Sequence, residues 1–212
     1  MKRKLLKPKQ ILVPGEYSIG SNEMLHKYFE IFNEGHGKDL LPIIVARSDT
    51  ITPESREAEL QKRIRHIGGW YHMYGYQYYN KEDKDSKIEQ VVLAYRRFDK
   101  IRKEASHYLL DGNHRAIAAT LTNNLVHALE LQCDQDVVDI NTMVASGELP
   151  NFNRRERSLT ELVLGFEGYI LDHLDNFMTV KERVDKLVSR RELPEYMVKR
   201  YLKGLRCTSN YH

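Results

Sequence analysis

The sequence predicts an α/β (α+β) protein, because segments with the pattern of strands alternate with segments of helical periodicity. Residues 107–132 predict a strand, a tight turn, a helix and a second strand within one short stretch. Residues 11–46 predict a strand, a helix and a strand, whereas residues 158–205 predict only helices. Residues 111–115 carry the densest group of chemically useful side chains, so the prediction of function concentrates on that turn.

The first predicted elements are a short strand, an amphipathic helix and a buried strand. Residues 11–13 are apolar and predict a short strand, and a Pro-Gly turn follows directly before Glu16. Ser21 or Asn22 can cap a helix whose apolar residues recur at helical spacing. These apolar residues are Met24, Leu25, Tyr28, Phe29 and Phe32. A Gly-His-Gly break ends the helix, and residues 40–46 predict a buried strand.

A long insertion is predicted at residues 48–106. It begins with a charged, solvated helix over residues 53–67 and continues into an aromatic block at residues 68–80. That block is typical either of strands or a loop packed over a domain, or of a stacking platform or lid above a nucleotide. A polar hinge or an exposed loop is predicted at residues 81–87, and an amphipathic helix with a basic outer surface is predicted at residues 88–103.

After the insertion, the sequence predicts a strand, a turn and a helix that follow one another with very short connections. Residues 107–110 suit a buried strand, the Asp111-Gly112 pair is a turn signal, and residues 115–121 are rich in helix-forming Ala and Leu. A second strand follows at residues 125–131, where apolar and other residues alternate.

The last third of the chain is predicted to be helical. The acidic run of Asp134, Asp136 and Asp139 is interpreted as a loop and a helix cap, because it lacks the other ligands of a calcium loop. Residues 147–157 are the predicted linker. Three helices are predicted beyond it, at residues 158–176, 180–190 and 194–205.

The last two predicted helices fit two alternatives. They could form a helix-turn-helix that binds DNA, or a helical cap or dimer module. The second alternative is favoured because the turn between them contains no glycine. The cations that would face phosphates in the first alternative are Lys199, Arg200, Lys203 and Arg206.

Composition and charge limit the class of protein. Hydrophobic content of 41%, charged content of 30% and a net charge of +3 are ordinary for a globular protein and too weakly basic to indicate nucleic-acid binding alone. No apolar run is long enough to span a membrane, and no leader-like segment is evident. Cys133 and Cys207 lack the spacing of a zinc or redox site. We therefore expect a cytoplasmic protein without membrane partners or a bound metal centre.

The side chains at the central turn are suited to binding phosphate. Asp111, Gly112, Asn113, His114 and Arg115 supply a carboxylate, a flexible backbone position, an amide, an imidazole and a guanidinium where a helix begins. A helix N-terminus carries unpaired N–H groups and partial positive charge, and glycine lets a ligand approach the backbone. The alternative is that Asp111 caps the helix and Arg115 pairs with a carboxylate on the surface.

The same residues carry a family resemblance. The run Asp-Gly-Asn-His-Arg-Ala at residues 111–116, followed by a return strand, resembles the signature turn of the ParB/sulfiredoxin superfamily. Residues 7–16 (KPKQILVPGE) and 40–47 (LLPIIVAR) resemble the opening strands of that superfamily. The resemblance implies a small mixed sheet with helices. It places a nucleotide-binding domain at residues 1–146 and a helical C-terminal subdomain at residues 147–212.

One branch of the superfamily implies a phosphotransferase. Sulfiredoxin chemistry is excluded, because Asn113 stands where those enzymes carry a catalytic cysteine. Resemblance to the free-serine kinases implies that Glu16 is a catalytic base and that Asp111 holds the substrate amine or Mg²⁺. His114 and Arg115 would then steady a phosphoryl group from ATP or ADP as it moves to a small hydroxyl compound. Asn113 departs from the histidine of that branch.

The resemblance also implies a non-enzymatic alternative, a DNA-binding partition or transcription regulator of the ParB kind that binds CTP. The Asn-His-Arg sequence differs from the Glu-Arg-Arg that such proteins present, so the phosphotransferase is the favoured hypothesis. A nuclease is disfavoured because no carboxylates are spaced to hold two metal ions. A homodimer is left open.

Overall fold

The protein forms one mixed sheet with helices on both faces. The structure is a computed structural model, and it describes residues 1–14, 22–73, 81–149, 158–172 and 177–209. The strands in these ranges are β1 (Lys2–Leu6), β2 (Ile11–Pro14), β3 (Ile43–Arg47), β4 (His107–Asp111), β5 (Val126–Leu131) and β6 (Phe177–Thr179). The helices are α1 (Asn22–Asn33), α2 (Pro53–Met73), α3 (Lys81–Glu104), α4 (Asn113–Leu121), α5 (Asp134–Ala145), α6 (Leu159–Asp172), α7 (Val180–Ser189) and α8 (Glu195–Ser209). The α+β fold class is therefore confirmed.

The strand order is β1-β5-β3-β4-β2-β6. The pairs β2–β4 and β3–β5 are parallel, and the pairs β1–β5, β3–β4 and β2–β6 are antiparallel. Ile11 lies beside His107, so the carboxyl ends of β2 and β4 reach the same edge of the sheet. The central turn at residues 111–115 leaves the sheet at this edge.

Each face of the sheet has its own hydrophobic core. One core packs β2, β3 and β5 against α1, α4, α7 and α8, with Phe29, Ile117, Val184 and Tyr201 among its buried side chains. The other packs the opposite face against α3, α5 and α6, with Phe98, Ile140 and Phe166 buried. The predicted insertion supplies α2 and α3 on this second face, because Ala94 and Phe98 turn the apolar stripe of α3 towards the sheet.

Residues on both sides of the predicted boundary at 147 share this sheet and both cores. Strand β6 pairs with β2, Leu12 opposite Thr179 and Pro14 opposite Phe177. Val180 and Met197 are buried in the first core, and Leu162 is buried in the second. The division into two domains remains a prediction, but the part that follows residue 147 completes the sheet.

Two local predictions are wrong. Residues 81–87 were predicted to be a polar hinge or an exposed loop, and they form the first turns of α3. Residues 134–139 were predicted to be a loop and a helix cap, but they lie within α5, which follows the N-cap residue Cys133 and carries Asp134 and Asp136 in its first turn. In both segments the density of charge was typical of a loop, but a charged segment can be an exposed helical surface. The aromatic block lies largely outside the described residues, and its predicted role stays untested.

Candidate functional site

Asp111 and Gly112 connect β4 to α4 in a turn that only glycine suits. Asp111 is the last residue of β4, and α4 begins at Asn113. Gly112 has φ of +99°, in the left-handed region. A Cβ atom there would lie 2.6 Å from Ile43 Cγ2 and 3.1 Å from Arg115 Nη2. Because Gly112 has no side chain, α4 can begin directly after β4 and its first turn can pack closely against Ile43 of β3.

The N-terminus of α4 begins at a residue that has no capping side chain. Gly112 occupies the N-cap position, and within the described ranges no side chain forms a capping hydrogen bond there. The first-turn N–H groups of this nine-residue helix therefore retain their capacity to bind an anion, with the helix dipole adding positive potential. The alternative role of Asp111 as the helix cap is not observed.

Arg115 points inward and holds the turn together. Its Nη1 donates to the backbone carbonyls of Leu41 (2.7 Å) and Pro42 (2.9 Å), and its Nη2 donates to Asp111 Oδ2 at 2.9 Å. Arg115 is only 6% exposed. These bonds fix the loop before β3 and the carboxylate of Asp111 relative to α4. Arg115 therefore acts as a positioning residue in this structure. It pairs with a carboxylate, as the alternative prediction expected, but the pair is formed by a buried guanidinium and not by one on the surface.

His114 lies beside a buried cation that the sequence did not single out. Burial, reinforced by the positive charge of Arg183 on α7, lowers the pKa of His114 below its ordinary value. Arg183 is 5% exposed, and burial lowers the pKa of its guanidinium as well. The signal that could have identified Arg183 is its position in the apolar stripe of α7, between Val180 and Leu187.

Two polar atoms at this turn are buried and have no protein partner within the part of the chain that the structure describes. They are Asn113 Oδ1 and His114 Nε2. Buried polar atoms usually find a hydrogen-bond partner, so orphaned atoms in a turn indicate a place where a water molecule or a ligand completes the bonding. The oxygen and nitrogen of an amide can exchange places, so Asn113 can present either an acceptor or a donor there.

Five of the six predicted site residues lie together at this edge of the sheet: Asp111, Gly112, Asn113, His114 and Arg115. Glu16 lies outside the described residues, and its predicted position beside the turn stays a prediction. The neighbouring strand β2 ends at Pro14, and its register with β4 leads the chain to the same edge.

The described side chains at this turn include one partly exposed carboxylate, Asp111, and two basic groups, His114 and Arg183. Asp111 is 27% exposed at its side chain, so a single carboxylate is available to a Mg²⁺ ion that arrives with a nucleotide. In the described ranges no three His, Cys, Asp or Glu side chains are grouped to hold a metal ion. The basic groups Arg183 and His114 instead complement the charge of a phosphate group.

Comparison with known proteins gave no match: no family model, no curated protein and no solved structure is similar to this chain at a significant level. The ParB/sulfiredoxin resemblance therefore rests on the residues of the turn and the opening strands alone. Among the described residues, no helix is both long enough and apolar enough to cross a membrane.

Proposed function

We propose that this protein binds the phosphate groups of a nucleotide at the N-terminus of α4 and transfers phosphate to a small hydroxyl compound such as free serine. The observation that supports it is the uncapped start of α4, with orphaned atoms on Asn113 and His114 and with the Arg183 cation close to the imidazole. Uncapped N–H groups and a buried cation together favour an anion far more than either feature alone.

The residues divide into those that contact the ligand and those that position them. The first-turn N–H groups of α4, His114 and Arg183 bind phosphate oxygens, and Arg115 and Gly112 hold the turn in place. Asp111 faces the substrate amine or a Mg²⁺ ion, which when bound neutralises phosphate charge. Glu16, from the segment after β2, accepts the proton of the substrate hydroxyl. Transfer of a phosphoryl group depends mainly on this kind of positioning and charge neutralisation.

Nucleotide binding is tested with a thermal-shift panel of ATP, ADP, CTP and GTP, each with and without Mg²⁺. A ligand at about one hundred times its dissociation constant stabilises the fold by about 2.7 kcal/mol. The decisive variant is Arg183→Met, with Arg190→Met as the matched control, because Arg190 lies on the same chain segment with a side chain 61% exposed. Loss of a charge-assisted hydrogen bond weakens affinity by about 1.5–3 kcal/mol. Equal affinity for both variants would contradict the site.

Phosphate transfer is tested separately. Glu16→Gln should abolish turnover with an adenine nucleotide and serine while leaving nucleotide affinity nearly unchanged, because the amide cannot accept the proton. Turnover equal to that of the unmodified protein would remove Glu16 from the mechanism.

A DNA-binding regulator that uses CTP is the second candidate. Lys199, Lys203 and Arg206 are exposed on α8, while Met197 and Tyr201 of the same helix are buried in the core. Three cations on duplex phosphates predict a slope of about −2.7 in a plot of log affinity against log salt. A thermal shift with CTP alone, together with such a slope, would favour this candidate over the phosphotransferase.

A further inference from the structure

A second polar cluster lies at the opposite end of β4 from the phosphate-binding turn. Ser106 precedes the strand, His107 is its first residue, and Glu130 lies on β5, two strands away across β3. Ser106 Oγ is 2.7 Å from His107 Nδ1, and His107 Nε2 is 2.7 Å from Glu130 Oε2. A hydroxyl, an imidazole and a carboxylate are thus connected in series.

The three residues differ in solvent exposure, which increases from Glu130 through His107 to Ser106. Glu130 is 1% exposed and His107 is 7% exposed, whereas Ser106 is exposed. The imidazole is therefore held in one orientation by groups in the protein interior, while the hydroxyl at the end of the series is accessible to a molecule in solution. An exposed hydroxyl hydrogen-bonded to an oriented imidazole is the arrangement that activates a serine nucleophile.

The charges around Glu130 determine which nitrogen of His107 carries the proton. Burial raises the pKa of Glu130, but hydrogen bonds from His107 and Gln132 and the charge of Lys4 outweigh burial, so the pKa lies below its ordinary value. Lys4 Nζ is 3.9 Å from Glu130 Oε2. An ionised carboxylate only accepts hydrogen bonds, so Nε2–H of His107 donates to it. In the neutral ring Nδ1 then has a lone pair for the Ser106 hydroxyl.

We propose that Ser106 is the nucleophile of an acyl-transfer site that hydrolyses carboxylic esters, with His107 as general base and Glu130 as the residue that positions and stabilises it. Here Nδ1 faces the serine and Nε2 faces the carboxylate, whereas in serine proteases Nε2 faces the serine and Nδ1 faces the carboxylate. Proton transfer requires only that one nitrogen accepts the proton and that a carboxylate holds the other.

The reaction balances in two steps. Ser106 Oγ attacks the ester carbonyl, the hydroxyl proton moves to His107 Nδ1, and that proton leaves with the alcohol as the ester C–O bond breaks. Water then attacks the acyl-serine, gives its proton to Nδ1, and releases the carboxylic acid while Ser106 recovers its proton. The imidazolium that forms in each step is stabilised by the Glu130 carboxylate.

The first experiment labels the full-length protein with a fluorophosphonate probe and locates the modified residue by peptide mass spectrometry. We expect modification at Ser106, its loss in Ser106→Ala, and a labelling rate at least about 100-fold lower in His107→Gln, the smallest usual effect of removing a general base. Ser146→Ala is the matched control, because Ser146 is exposed and its hydroxyl bonds to Met143 and Glu148, which are near it in the chain. Modification elsewhere with Ser106 unmodified would overturn the proposal.

A second measurement keeps the proposal testable if His107→Gln folds poorly. Ser106→Cys places a thiol next to the same imidazole, and its alkylation by iodoacetamide should be at least about tenfold faster than that of the exposed Cys133. Equal alkylation rates would show that His107 and Glu130 only pack the sheet. The Ser106–His107–Glu130 cluster is at the opposite end of β4 from residues 111–115. A negative result for ester hydrolysis would therefore leave the proposal of nucleotide binding unaffected.

Discussion

At the scale of single residues, His114 predicts how nucleotide binding depends on pH. Burial and Arg183 keep the imidazole pKa below its ordinary value of 6.5 in the unliganded protein, so the ring is neutral at pH 7. A bound phosphate dianion favours the imidazolium and raises that pKa, so binding should take up a proton and affinity should rise as the pH falls from about 8 to about 6.

Titration calorimetry in two buffers of different ionisation enthalpy measures that proton uptake. His114→Gln should remove it, while His36→Gln should not, because the His36 side chain is 66% exposed and pairs with Asp39. Proton uptake that persists in His114→Gln would assign the effect to another group.

Replacing Gly112 by alanine tests two separate effects on stability, the strain of a left-handed backbone and the steric overlap of the added methyl group with Ile43. Gly112→Ala adds a methyl 2.6 Å from Ile43 Cγ2 at a φ of +99°. Left-handed strain of about 1–2 kcal/mol and overpacking of about 1–3 kcal/mol both oppose it. Gly35→Ala is the matched control, since its φ is +87° and nothing lies within 4 Å of the added atom. Urea unfolding should show the larger loss for Gly112→Ala, and equal losses would mean that Ile43 moves aside.

The residues of the proposed phosphate-binding turn illustrate what a sequence can predict about a site. Gly112, Asn113 and His114 could be predicted because they are adjacent in the chain and next to a helix start. Arg183 could be recognised as a buried cation from its place in the apolar stripe of α7, but its position near His114 could not be predicted, because only the packing of α7 against α4 brings the two side chains together. The inward direction of Arg115 depends on the carbonyls of Leu41 and Pro42, which come from a distant loop.

At the scale of elements, a buried ion pair fixes the insertion to the sheet. Arg56 on α2 donates to Glu167 on α6, with Nη2 2.8 Å from Oε1, and also to the carbonyls of Ser48 and Ile51. Tyr108 on β4 donates its hydroxyl to the same carboxylate at 2.6 Å, and burial together with Glu167 raises the pKa of Tyr108. Three elements therefore share one carboxylate.

Arg56→Met should destabilise the protein by about 3–5 kcal/mol, because it leaves the Glu167 carboxylate buried without its cation. Adding Glu167→Gln should recover part of that loss, since the amide removes the charge and still accepts from Tyr108. Lys199→Met is the surface control, because the Lys199–Glu195 pair is exposed and a solvent-screened pair contributes little to stability. Chemical denaturation compares the stability of these three variants with that of the unmodified protein. A double variant less stable than Arg56→Met would contradict this explanation.

Long periodic elements could be predicted from the sequence, whereas short ones and those with few apolar residues could not. The apolar stripe of α1 and the alternation in β5 stand out because packing against the sheet requires them. The strand β6 has only three residues, and its pairing with β2 is decided by tertiary contact. The sequence of β1 looks like a basic segment and not like a strand, because β1 lies at the edge of the sheet and exposes Lys2 and Arg3.

At the scale of the whole molecule, the position of β6 predicts that the chain unfolds as one unit. Residues beyond 147 bury large apolar side chains in both cores. These include Leu162, Phe166, Phe177, Val184, Met197 and Tyr201. Each such side chain contributes about 1.5–3 kcal/mol when it is buried, and domains are stable by only about 5–15 kcal/mol.

A fragment that ends at residue 146 should therefore lack a cooperative urea transition, and residues 147–212 supplied as a second fragment should restore it. Far-UV circular dichroism and tryptophan fluorescence of the full-length protein should give coincident transitions, as a single cooperative unit requires. A fragment of residues 1–146 that unfolds sharply by itself would instead establish the boundary at 147 as a true domain boundary. It would also mean that α7, with Arg183, docks onto a preformed turn at residues 111–115 rather than folding together with it.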